Sequence, residues 1–156
     1  MSSPLILANY AAVLSAMVGV VLLFKSVREY QKQGAQKRAD YFRGMIDKFK
    51  SNPYFLEISA MLDEQDNPKL AKVHYRVRRS YLNFFEELAI MVNSGLVQKE
   101  LALYMFGYYA IRAHHNKYFR EEFDFDGPYW SVFVKFAKKM ETLQDSPKFK
   151  NGDFKF

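Results

Sequence analysis

The chain contains no cysteine. That excludes a disulfide framework, a thiolate metal site and a cysteine nucleophile, and it is in keeping with a reducing compartment. Breakers are few, with seven glycines and five prolines in 156 residues, and no stretch shows the sustained apolar–polar alternation of a strand. The motifs GxxxxGK[ST], GxGxxG and GxSxG and the kinase set are missing, as are HExxH and ExxH. Charge, too, is missing from residues 1–24.

What charge there is lies unevenly. The net +6 suggests nucleic acid until it is divided along the chain. Residues 25–50 carry eight basic groups (Lys25, Arg28, Lys32, Lys37, Arg38, Arg43, Lys48, Lys50) against three acidic ones (Glu29, Asp40, Asp47), whereas the remaining 106 residues hold 15 basic and 14 acidic. Nucleic-acid binding would need a basic patch interleaved with exposed aromatics. The aromatics here mostly recur at helical core spacing in a nearly neutral segment, so no nucleic-acid partner is expected.

The uncharged beginning holds LILANYAAVLSAMVGVVLLF, Leu5 to Phe24, which as a helix would be about 30 Å long, the thickness of a bilayer's hydrocarbon core. A cleaved signal peptide would want a basic start and a shorter apolar run of roughly 7–15 residues. Neither is present. The run therefore reads as an N-terminal transmembrane anchor (1–24), with a buried core helix as the competing reading. Lys25, Arg28, Lys32, Lys37 and Arg38 follow it within fifteen residues, so the N-terminus is expected outside and the domain in the cytoplasm of a bacterial inner membrane. The same cations would lie against anionic lipid headgroups. Ala8, Ala12, Ala16 and Gly19 form small-residue strips suited to helix packing in lipid, which leaves a homo-oligomer open.

A basic stalk (25–40) leads to a cytoplasmic helical domain (41–145), where apolar periodicity returns at Tyr41, Phe42, Met45, Ile46 and Phe49. Asn52-Pro53 and Asn67-Pro68 are helix-start signals. Helices are expected from Pro53 to about Leu62, from Pro68 to Asn93 with a stop at Ser94-Gly95, from about Val97 to Arg120, and from Tyr129 to Gln144. The fold class is all-α, a bundle of about five helices, followed by a flexible basic-aromatic tail (146–156). On the Pro68 helix, Leu70, Val73, Val77, Tyr81, Phe85, Leu88 and Val92 form the expected buried face. Lys69, Lys72, Arg76, Arg79, Asn83, Glu86 and Glu87 lie opposite. Basic residues early and acidic ones late oppose the helix dipole; lipid headgroups or an acidic partner beside the basic half would explain that order, which makes this face a candidate partner surface, with a merely solvated face as the competing reading.

Little points to catalysis. Glu86 and Glu87 are adjacent, diverge by about 100° on a helix and cannot serve one small reacting centre. His114 and His115 suffer the same geometry, His115 falling with Val97, Leu101, Tyr104, Tyr108 and Ile111 on the expected buried face. His74 reads as a satisfied core histidine. No catalytic residue, metal site or cofactor is expected.

The anchor and basic stalk, then SNPYF, then RRSYLNFFEELAIMVNSGLVQKELALYMFGYYAIRAH, resemble a bacterial and prophage family catalogued only as a domain of unknown function, small membrane-anchored helical proteins. The resemblance covers most of the chain and supplies no activity. It implies that Asn83, Glu86 and Glu87, if they matter, fix the hairpin or a partner contact. The expected function is non-enzymatic, a protein that contacts membrane lipids and binds a protein partner as accessory or regulatory subunit of a membrane complex or phage-related system. The alternatives are a membrane-acting effector oligomerising through its anchor and, further off, an unrecognised enzyme.

Overall fold

Asn52 starts the second helix as its residue type predicts. In the computed structural model its Oδ1 accepts from Tyr54 N at 3.1 Å and Phe55 N at 3.4 Å, with Pro53 in the first turn. The structure describes the backbone of residues 3–64 and 67–151, and side chains from Leu14 onward except Lys148. All regular structure among the described residues is helical. The chain divides into two units, Met1–Asp40 and Tyr41–Phe156.

The first unit is the leading part of helix α1 (Ser3–Ser51). From Leu14 to Phe24 its apolar side chains are exposed on every side, Leu14 at 62% and Phe24 at 68%. Among the described residues no helix is long and apolar enough to cross a membrane. The side chains of the Leu5–Phe24 run up to Val13, those of Ala8 and Ala12 included, lie outside the described residues. Lys25, Arg28, Lys32, Lys37 and Arg38 are exposed.

In the second unit the end of α1 is followed by α2 (Pro53–Asp63), α3 (Lys69–Lys72), α4 (Tyr75–Asn93), α5 (Lys99–Ala102), a π-helical turn (Leu103–Gly107), α6 (Tyr108–His115) and α7 (Lys117–Arg120). A 3₁₀ turn (Pro128–Trp130), α8 (Ser131–Gln144) and α9 (Pro147–Lys150) complete it. Phe42, Met45 and Phe49 of α1 are buried at the expected spacing. Phe49 is the hub, with ring centroids 5.1 Å from Phe84, 5.4 Å from Phe106 and 5.6 Å from Tyr109. Aromatic pairs at such separations add about 0.5–1.5 kcal/mol each beyond burial. Tyr81 shares its hydroxyl hydrogen bond with Ser59 Oγ at 2.9 Å inside this core, and burial pushes its phenol far above the ordinary range.

The hairpin break at Ser94-Gly95 forms as read. Gly95 adopts φ 73°, Gly95 N donates to Val92 O at 3.2 Å and Leu96 N to Met91 O at 2.9 Å, the double closure of a helix C-terminus that favours glycine.

Two expectations fail. The helix expected from Pro68 to Asn93 is two helices. Val73 and His74 are extended, with ψ 128° and 134°, and His74, exposed rather than buried, restarts the chain by accepting from Arg76 N at 3.2 Å. The break frees the Val73 carbonyl, which accepts from Arg78 Nε at 3.0 Å. The Val97–Arg120 helix is likewise broken at Asn116, whose side chain accepts from Tyr118 N and Phe119 N and opens α7. Its buried stripe is also displaced. Ala102, Leu103, Phe106, Ala110, Ala113 and His114 are buried, while Tyr104 and Tyr108 are 64% and 43% exposed. Val97 is buried but lies ahead of α5, in the turn, so its phase does not carry into the helix. His114 is therefore the inward histidine and His115 the outward one.

Of the tail 146–156, α9 is one helical turn capped by Ser146, with Phe149 packed on the core. Gly152–Phe156 lie outside the described residues.

Candidate functional site

The residues of the candidate partner surface separate into two groups. Lys69 and Lys72 sit on α3 and Arg76, Arg79 and Asn83 on α4, all exposed. None of the four cations has an ion-pair partner among the described residues. The two glutamates, both half-buried, meet other helices instead. Glu87 pairs with Lys48 of α1. Glu86 is raised above the usual carboxylate range by burial, opposed by the backbone N–H of Phe133 in the first turn of α8, where a carboxylate complements the helix dipole. Their divergence on α4 thus sends them to different helices.

Arg78 stands outside the residues singled out from the sequence, and it is the most buried cation among the described residues, 1% exposed. Its Nη1 donates to the carbonyls of Glu121 at 2.8 Å, Phe119 at 3.2 Å and Tyr118 at 3.3 Å, and its Nη2 pairs with Glu122. It thereby satisfies the carbonyl end of α7 and the α3–α4 break together. The planar five-donor guanidinium suits this, and a lysine would not. The signal was available: Arg78 precedes Tyr81, Leu82 and Phe85 by three, four and seven residues, which places it on the buried face.

Beside this hub the end of α6, the end of α7, the turn 124–127 and the first two turns of α8 enclose a cleft of about 430 Å³. Asp124 Oδ1 shapes the turn, accepting from Asp126 N at 3.2 Å and Gly127 N at 3.0 Å. A Cβ at Gly127 would fall 2.4 Å from Asp124 Oδ2, so a side chain there would displace the carboxylate that shapes the turn. His114, Arg120, Lys135 and Lys138 line the cleft. The His114 ring stacks on Phe125 at 6.0 Å and 9°, and Arg120 lies over the same phenyl at 5.2 Å. His114 is 8% exposed, and its Nδ1 is enclosed without a hydrogen-bond partner. Burial, then His115, Arg120 and Lys138, lower its pKa, with Glu141 opposing. His115 faces out and meets Glu141 Oε1 at 3.1 Å.

Among the described residues no three His, Cys, Asp or Glu side chains converge to hold a metal ion.

An all-helical domain with a buried arginine hub and a basic cleft is the class of protein these features define. The model of the family described as domain of unknown function DUF4760 matches residues 7–140, and the chain belongs to that family. No curated protein and no solved structure matches it.

Proposed function

We propose that the chain is a non-enzymatic, single-pass protein of a bacterial inner membrane, anchored by Leu5–Phe24, whose cytoplasmic helical domain docks a protein partner as an accessory or regulatory subunit. The observation that carries the docking is the run Lys69, Lys72, Arg76 and Arg79, four exposed cations without ion-pair partners among the described residues. Such a surface complements an acidic partner and raises its rate of encounter. The anchor is supported by the length and apolarity of Leu5–Phe24, and its orientation by the five cations that follow.

The test is purification of the tagged full-length protein in mild detergent with mass spectrometry of what accompanies it. A stoichiometric partner is expected, lost on Arg76→Glu with Arg79→Glu. Recovery of the protein alone, or a partner indifferent to the double reversal, would overturn the docking surface.

A further inference from the structure

We infer that the cleft at His114, Arg120, Lys135 and Lys138 binds a phosphoryl group carried on a small organic molecule or a lipid headgroup. This goes beyond the docking surface, uses different residues and stands or falls without it.

Charge selects the ligand class. Arg120, Lys135 and Lys138 are three fixed positive charges on the cleft, and Asp126 is the carboxylate that shares it. None of the three cations is ion-paired among the described residues. Subtracting Asp126 leaves an excess of two, which a phosphomonoester matches at about −1.5 to −2 near neutral pH and a carboxylate does not.

Hydrogen bonding points the same way. The His114 ring walls the cleft, and in its charged form it is a further N–H donor for a phosphoryl oxygen. The α8 helix end contributes little, because Ser131 N already donates to Pro128 O and the Phe133 N–H faces Glu86. Recognition rests on the side chains. The volume of about 430 Å³ falls in the range of small-ligand sites, about 300–1,000 Å³. Phe125 and Val134 give the cleft an apolar wall for the organic part of the ligand.

An anion bound here stabilises the imidazolium against the groups that disfavour it, His115 on α6, Arg120 on α7 and Lys138 on α8, and acts in the same sense as Glu141 on α8 and Asp126 on the turn. The experiment uses the full chain in a maltoside detergent, which carries no phosphate, and follows the His114 and His115 ring resonances by NMR during titration with phenyl phosphate, with benzoate as control. A saturable shift of His114 and a raised His114 pKa are expected, with His115 moved much less. The double variant Lys135→Ala, Lys138→Ala, both exposed positions, should keep its helical circular dichroism and bind at least about tenfold more weakly. Vesicles of phosphatidic acid against phosphatidylcholine separate the sources: capture by the former that needs Lys135 and Lys138 assigns a headgroup, and phenyl phosphate binding without it assigns a soluble ester. No saturable His114 shift with phenyl phosphate together with no Lys135- and Lys138-dependent capture by phosphatidic acid, or equal binding of benzoate, overturns the inference.

Discussion

Arg78 Nη1 donates to the carbonyl oxygen of Glu121 at 2.8 Å, joining residues 43 apart in the chain. The guanidinium is 1% exposed, whereas its ion-pair partner Glu122 is 60% exposed. Removing the arginine therefore strands buried carbonyls, and removing the glutamate does not. Arg78→Met is predicted to cost at least about 1–3 kcal/mol and Glu122→Ala about 0–1 kcal/mol. Chemical denaturation of the two variants in one detergent checks this, and similar midpoints would refute it.

Gly95 and Glu122 share a φ of 73°. A side chain there costs roughly 1–2 kcal/mol in an L-residue, and Gly95 has open space around it, so the backbone alone decides. Gly95→Ala should lose about that much, and Glu122→Gly should exceed Glu122→Ala in stability by a similar amount. Thermal midpoints of the three variants measure both differences.

The lowered pKa of His114 fixes a pH dependence. The unfolded histidine, near 6.5, takes up its proton at higher pH than the folded one. This contribution to stability is complete above about pH 6.5, is lost as pH falls toward the folded value, and then levels off. The midpoint of thermal unfolding should drop as the pH falls below about 6.5, and His114→Gln should flatten that drop. Parallel profiles for the two proteins would exclude His114 as the cause.

Phe49 touches more aromatic rings than the apolar residues around it on α1. Phe49→Ala should cost about 3–5 kcal/mol, while Tyr41→Ala, at a position 52% exposed, should stay within about 0.5 kcal/mol of the parent. Urea midpoints of the full-length variants distinguish the two.

Local chemistry was the legible part of this sequence. Asn52-Pro53 and Ser94-Gly95 act within a few residues, through a side-chain cap and a left-handed backbone, and both form as read. The α3–α4 break was not legible, because nothing near Val73 forbids a helix. The break is linked to Arg78 reaching back to the Val73 carbonyl and across to α7. Arg78 itself was hidden by the default that arginine is exposed, although its spacing to Tyr81 and Phe85 contradicted that default. His114 was misplaced because the helical phase was taken from Val97, a buried residue ahead of the helix. The cleft was beyond sequence reach, since four separate segments, 24 residues apart at the extremes, have to fold together before it exists.

Phe42, Met45 and Phe49 belong to the last turns of α1 and also fill the centre of the second unit. A mechanical load applied at Tyr41 is therefore delivered to the ring cluster around Phe49, not to a loosely held terminus. Force applied from that side should meet its resistance at the core, and the rupture step should coincide with the extraction of Phe49.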